Sequence, residues 1–253
     1  MYNPFSLEEK TILVTGASSG IGRQCAIDCA RMGARVALIA RNEDRLAETL
    51  SMMEGEGHAY YPLDLTSEGG GKLLVVNKIC EKFGKVDGFI HAAGIEKTLP
   101  IKLLTADDYL SIFRINALSA FEFIRIFSNK RYFSDGGHII LISSATSVVG
   151  RAGVAAYAAS KGAINSAIRP MALELARKKI CVNCVSPGTI ITPMMESFLS
   201  TLSEEDRKKR VAGFPLGLGK PEDVSSLCIF LLSDASRWIT GQNIVIDGGY
   251  TSQ

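Results

Sequence analysis

The sequence predicts a single α/β domain, a doubly wound parallel sheet of about seven strands with helices on both faces. Three observations carry this expectation. Short β-branched apolar runs alternate with longer amphipathic ones along the chain. A glycine-rich turn separates the first strand from the first helix. No linker, repeat or low-complexity block interrupts the order over 253 residues, a length that α/β folds reach as one unit.

Thr11–Thr15 is a β-branched run that stops at Gly16, and a helix pattern follows over Gly20–Met32. Arg35–Ala40 is the second strand, Glu43–Met53 the next helix and His58–Leu63 the third strand. Lys72–Phe83 reads as helix, Val86–His91 as strand and Asp107–Phe127 as one long helix. His138–Ser143 is strand, Ala155–Lys178 helix and Ile180–Val185 strand. Pro221–Leu232 is helical and Asn243–Ile246 is the last strand. Strands that alternate with helices imply right-handed βαβ units. Residues 188–220, rich in Thr, Ser, Met and charge, have the composition of a substrate lid. Pro170 is expected to bend its helix by removing the bond to the Ser166 carbonyl, and Gly69-Gly70-Gly71 reads as a local loop.

Bulk properties exclude several classes. The chain is 47% hydrophobic and 21% charged, with net charge +2, so no broad basic face for nucleic acid is expected. No run approaches the roughly 18 apolar residues of a membrane span, and Met1–Lys10 is no secretory signal. The cytoplasm is the expected compartment. The three histidines show no ligand spacing, so no metal site is expected. Cys181 and Cys184 form a C-x-x-C, but three residues apart in a strand puts them on opposite faces, and all six cysteines read as reduced thiols.

The turn Thr15-Gly16-Ala17-Ser18-Ser19-Gly20-Ile21-Gly22-Arg23 carries the first functional signal. Glycines let the backbone approach a pyrophosphate, and a helix N-terminus supplies free N–H groups. The spacing G-x-x-x-G-x-G differs from the general dinucleotide fingerprint, so position rather than spacing argues for anion binding. At the end of the second strand an acid would suit the ribose of NAD(H) and an Arg the 2′-phosphate of NADP(H). Arg41 stands there, 19 residues after Gly22, which favours NADP(H). Glu43 and Asp44 follow at a helix start, where acids are expected in any case.

Together these features resemble the short-chain dehydrogenase/reductase family, a Rossmann fold, over about 240 residues. Thr15 to Gly22, including Ser18, Ser19 and Ile21, matches its glycine turn. The resemblance implies that Asp64, in the pair Asp64-Leu65, meets the adenine amino group. His91-Ala92-Ala93-Gly94 matches the family's Asn-Asn-Ala-Gly segment with two departures, leaving Ala93 and Gly94 as expected cofactor contacts. Asn116 falls at the family's helix Asn, and Ser144, Tyr157 and Lys161 fall at its catalytic residues. Pro187, Gly188, Ile190 and Thr192 match the segment that cradles the nicotinamide, and Asp247-Gly248-Gly249 matches the C-terminal signature. Among subgroups the chain is most similar to 3-oxoacyl-[acyl-carrier-protein] reductases. The resemblance implies a small-molecule carbonyl or alcohol substrate, acyl-carrier-linked in that subgroup, and a homotetramer or homodimer. Sugar, polyol or hydroxysteroid oxidation remains open, as does a non-catalytic dinucleotide-binding scaffold.

Reducing a ketone needs a hydride to carbon and a proton to oxygen. Tyr157 and Lys161 are four apart, so on a helix they share a face, and a nearby ammonium lowers a phenol pKa. Tyr157 is then general acid in reduction and base in oxidation, with Lys161 also bonding the nicotinamide ribose. Adjacent strand residues point oppositely, so only one of Ser143 and Ser144 can donate to the substrate oxygen, and the resemblance selects Ser144. Asn116 is expected to hold a water that links Lys161 to solvent. Arg207-Lys208-Lys209-Arg210 follows acids in a short helix, so it reads first as a dipole-matched helix end and second as a basic rim for an acidic carrier. Lys178 raises the same choice. Met194, Met195, Phe198 and Leu199 in the lid favour an apolar or amphipathic substrate.

Overall fold

A computed structural model describes residues 3–67 and 69–253. Seven parallel strands form one sheet in the order β3-β2-β1-β4-β5-β6-β7. They are β1 (Thr11–Thr15), β2 (Arg35–Ala40), β3 (Ala59–Pro62), β4 (Val86–His91), β5 (Phe133–Ile142), β6 (Cys181–Pro187) and β7 (Asn243–Ile246). Strand order reverses between β1 and β4, which opens a crevice at their carboxyl ends.

Alternation along each strand feeds two cores. On one face Leu13, Phe89 and Ile139 pack with Val76 and Ile79 of α3 (Gly71–Phe83), Phe123 and Phe127 of α5 (Ser119–Phe127) and Ile164 and Ile168 of α6 (Ala155–Leu175). On the other, Ile12, Val14, Ile90 and Ile140 meet Cys25 and Cys29 of α1 (Gly20–Arg31), Leu46 of α2 (Glu43–Ser51) and Val224, Cys228 and Leu231 of α9 (Pro221–Leu232). Strands buried on both faces read as continuous apolar runs, which is why β1, β2 and β4 are legible without alternation. All six cysteines are free thiols. Cys184 joins the first core while Cys181 lies on the opposite face, its thiol donating to the Arg237 carbonyl.

Several elements differ from their sequence expectation. The long helix at 107–127 is α4 (Ala106–Phe113), a π-helical segment Arg114–Leu118 and α5 in series. β5 begins at Phe133, which pairs with Val86 before a register shift. α6 runs through Pro170 to Leu175 and ends in a 3-10 turn, Ala176–Lys178. Residues 188–220 fold as α7 (Pro193–Leu199) and α8 (Glu204–Ala212), the latter capped by Ser203, with acids in its first turn and Lys209 and Arg210 in its last. Gly69 and Gly70 both take positive φ before α3. No helix among the described residues is long and apolar enough to cross a membrane.

Candidate active site

A cavity of about 800 Å³ fills the crevice between β1 and β4 and runs under α7 and α8. Its wall at one end is the first turn, Gly16 and Ser18 to Gly22. A Cβ on Gly22 would lie 2.4 Å from the Gly16 carbonyl oxygen, and one on Gly16 2.7 Å from the Ala93 nitrogen, so neither position admits a side chain. The turn therefore closes hard against the loop after β4. Ser19 precedes α1 with its side chain making no capping bond, and the first turn of α1 holds no acid. Its N-terminal N–H groups and partial positive charge are left for the cavity.

His91 supports that closure. Its Nε2 lies 3.3 Å from the Ile115 carbonyl oxygen, which can only accept, so Nε2 carries the hydrogen and Nδ1 accepts from the Thr15 hydroxyl at 2.9 Å. The Thr15 oxygen in turn accepts from the Ala93 N–H at 3.4 Å. Burial, with the Lys161 ammonium as the next cause, pushes the His91 pKa down to about 3, so the ring is neutral. The sequence marked His91 only as a departure from the family segment.

Beyond the turn, Arg41, Asn42 and Arg45 line the cavity with Leu63, Asp64 and Leu65. Asn42 caps α2, its side chain accepting from the Arg45 N–H at 2.8 Å. Asp64 accepts from the Thr66 N–H and hydroxyl, both at 2.8 Å, and these bonds, with Arg41 and Lys72 assisting, lower its pKa. Arg41 stands in the wall, while Glu43 and Asp44 open α2 outside it. Arg45 adds a second cation that the sequence reading missed.

At the other end stand Ser144, Tyr157 and Lys161; Gly94, Pro187, Gly188 and Ile190 belong to the same lining, and Ala93 and Thr192 in it close on the glycine turn. The choice between the serines follows from their bonds. Ser143 donates to the Lys161 carbonyl at 3.0 Å, so its hydrogen is spent on the helix. Ser144 accepts from the Thr146 N–H at 3.2 Å and hydroxyl at 2.9 Å, which leaves its own hydrogen to the cavity. A Cβ on Gly188 would lie 2.9 Å from the Asp247 Cα, and the Gly188 N–H donates to the Ile246 carbonyl. Asp247 then accepts from the N–H groups of Gly249 and Thr251, so the C-terminal signature braces the Pro187-Gly188 turn. Thr192 caps α7 and approaches Gly20 from across the cavity.

Asn116 is buried in the π-helical segment. Its amide donates to the Ile95 carbonyl and to the Ser160 hydroxyl, both at 3.0 Å, and its oxygen accepts from the Ile95 N–H at 2.8 Å. The side chain thus clamps the loop after β4 to α6. The extra residue in the turn is what carries it inward.

One electrostatic expectation is corrected. The phenol of Tyr157 is raised to about 12, first by burial and then by the Glu96 carboxylate, against smaller lowering by the Ser144 hydroxyl and Arg151. Burial also lowers Lys161 to about 8. The Lys161 ammonium donates to the Ile142 carbonyl at 2.7 Å and sits 5.7 Å from the Tyr157 ring centroid. Four-residue spacing places the pair on one face, as expected, but burial, and not the charge of one on the other, is the first cause of each shift.

Lys178 donates to the Ser128 carbonyl at the end of α5 and stands outside the cavity wall, as does Arg207. Arg210, by contrast, turns into the cavity, together with Glu96, Arg151, Phe214 and Tyr250. Arg210 belongs to the basic run that the sequence offered as a rim for an acidic carrier, and the other four carry no sequence signal.

A family model described as enoyl-(acyl carrier protein) reductase matches residues 16–251. The chain belongs to the short-chain dehydrogenase/reductase family. It is 34% identical to the 3-oxoacyl-[acyl-carrier-protein] reductase FabG of Thermotoga maritima over 96% of this chain and 98% of that protein. It is 36% identical to a tropinone reductase homolog of Arabidopsis thaliana over 98% of this chain and 91% of that protein. A solved dehydrogenase/reductase from Sinorhizobium meliloti superposes with a TM-score of 0.90 at 29% identity, over 98% of this chain and 97% of that one. The protein is accordingly an oxidoreductase of this family, whose members bind an NAD(P) dinucleotide. The site fits such a group: an uncapped helix terminus at a turn with no room for side chains faces one end of the cavity, and unreacted hydroxyl and ammonium donors face the other.

Proposed function

We propose that the chain is an NADP-dependent ketoreductase that acts on a 3-oxoacyl thioester, with Tyr157 as the proton donor. The observation that carries this reading is the meeting of Ser144, Tyr157 and Lys161 on one wall of the cavity whose far end holds the glycine turn, Arg41 and Arg45. Two guanidiniums beside the N-terminus of α2 suit a 2′-phosphate, and the side chains lining the end of β2 include no acid among the described residues. The thioester assignment draws on the FabG relative and on the acyl-carrier description of the matching family model.

Bound, the dinucleotide supplies the hydride to the carbonyl carbon. The Ser144 hydroxyl donates to the carbonyl oxygen and steadies its growing negative charge. Tyr157 delivers its proton to that oxygen as the alkoxide forms. A phenol near 12 is fully protonated at neutral pH and still far more acidic than the alcohol it creates, so the raised value suits reduction. Lys161 spends one N–H on Ile142 and keeps two for the ribose hydroxyls and for proton resupply. Asn116 and Ser160 hold the wall beside it, and a water at Asn116 would complete the path to solvent.

NADPH oxidation with a panel of 3-oxoacyl thioesters and simple ketones tests the reading. Tyr157→Phe should lower kcat by roughly a thousandfold, the scale of general acid catalysis, with NADPH affinity retained. Binding of NADPH without turnover of any ketone by the wild type would leave the scaffold reading standing.

A further inference from the structure

At the substrate end of the cavity the charges do not balance. Arg151 donates through Nη2 to the Glu96 carboxylate, and Thr98 donates to the same oxygen at 3.3 Å. Both members of that ion pair are largely buried, at 21% and 23% exposure. Arg210 reaches in from the last turn of α8, donating through Nη2 to the Thr189 hydroxyl at 3.3 Å, with its guanidinium 5.2 Å from the centre of the Phe198 ring. No carboxylate pairs with Arg210 among the described residues. Burial lowers the Arg210 pKa, repulsion from Arg151 lowers it further, and Glu96 offsets only part of this. Two guanidiniums thus stand near one carboxylate that pairs with Arg151 alone. The Nε atoms of both arginines are buried and make no hydrogen bond within the protein.

A half-buried guanidinium whose Nε is left without an acceptor is costly, and an anion restores both the charge and the hydrogen bonds. The cluster lies on the substrate side, because Glu96 and Arg151 are the two charges that act on the Tyr157 phenol, while Arg41 and Arg45 stand at the opposite end of the cavity. Helix-end placement explains why the sequence sets a base at position 210, but it does not explain a base turned inward under Phe214 and Tyr250. Lys209, its neighbour in the same wall, is already paired with Glu205 at 2.7 Å.

We infer that the site selects ketones whose own chain carries a carboxylate, held by Arg210 and Arg151 while the carbonyl meets Tyr157 and Ser144. On a thioester substrate that carboxylate is the free end of the acyl group. This inference rests on the ketoreductase reading and names the substrate class of the same site.

The test uses matched pairs of different reach: 3-oxobutanoate, 4-oxopentanoate and 5-oxohexanoate, each against its methyl ester, with NADPH as reductant. At the best-fitting length the acid should exceed the ester in kcat/KM by about tenfold or more, through KM, since a hydrogen bond to a charged group contributes about 1.5–3 kcal/mol. Arg210→Gln should bring that ratio to near one, and Lys208→Gln, solvent-facing on the same helix, should leave it intact. Acid and ester reduced equally well at every length would overturn the inference. If neither is reduced, calorimetric titration of the same pairs into the NADP+ complex decides separately. Acid binding that Arg210→Gln abolishes would uphold anion selection while the ketoreductase reading fails, and equal binding of acid and ester would sink anion selection too.

Discussion

At the glycine-turn end of the crevice the wall next to α1 is backbone, with Arg41 and Arg45 standing beyond it, whereas at the Tyr157 end the walls are long side chains drawn from distant segments. The first end uses Gly16, Gly22, an open helix terminus and the hydrogen-bonded run from Ala93 through Thr15 to His91. Its partners lie on β1 and β4, adjacent strands in the sheet. The second end joins Glu96, Arg151, Tyr157 and Arg210, which reach one cavity from the loop after β4, the loop before α6, α6 itself and α8. A wall of backbone suits a ligand that does not vary, and a wall of side chains can be rewritten without disturbing the sheet. The spread of relatives, from a 3-oxoacyl reductase to a tropinone reductase homolog, fits that division.

The largest effect is expected from Lys161→Met, because Lys161 both meets Tyr157 and carries a buried charge. Loss of its N–H donors should reduce turnover by at least about a hundredfold, the lower end of acid–base contributions. The same change should stabilise the fold. A lysine held at about 8 instead of 10.5 costs about 3 kcal/mol at neutral pH, less the bond to Ile142 that Met cannot make. Between pH 8 and 10.5 the unfolded chain binds the proton more tightly than the folded one, so wild-type stability should rise with pH across that window. Below pH 8 the full penalty persists. Denaturant unfolding of wild type and variant at pH 7 and pH 9.5 measures both, and a variant that is less stable at pH 7 would refute a desolvated ammonium.

At the backbone end the largest accessible change is Arg41→Asp. It removes one of two cations beside the α2 terminus and sets an acid where ribose hydroxyls would lie. The ratio of kcat/KM for NADPH over NADH should fall by about tenfold or more, the scale of a lost charge-assisted contact. Arg41→Asp with an unchanged ratio would place the 2′ contact on Arg45 or exclude it from this corner.

The backbone end was also the legible end. Thr11–Thr15 followed by Gly16 and an immediate helix can be read from composition and order, since few residue types permit so tight a turn. The sheet followed from the same alternation. Asn116 was legible through the family resemblance, but not the π-helical segment that turns it inward, because one extra residue in a turn leaves the apolar period nearly intact. The Glu96–Arg151 pair spans 55 residues, and no local pattern announces such a meeting. Tyr157 and Lys161 were legible as a pair, yet the sign of their pKa shifts was not. Spacing reports the distance between two charges, whereas burial is a property of everything folded around them.

The finest test of the side-chain end concerns Glu96, whose carboxylate raises the Tyr157 pKa while Arg151 lowers it. In the oxidative direction Tyr157 must first be a phenolate, so the rate climbs with pH towards a value near 12. Glu96→Gln removes the charge that opposes the phenolate and frees Arg151 to favour it. Both effects carry the same sign, and the alkaline rise in alcohol oxidation should move to lower pH. Arg151→Gln removes the favourable charge and leaves Glu96 unopposed, so its rise should move the other way. Opposite displacements of the two profiles, recorded with one alcohol and saturating NADP+, would assign the ion pair to the electrostatics of proton transfer. Displacements in the same direction would mean that the substitutions act by loosening the loop that carries Glu96, and the pair would then be a strut at the cavity mouth.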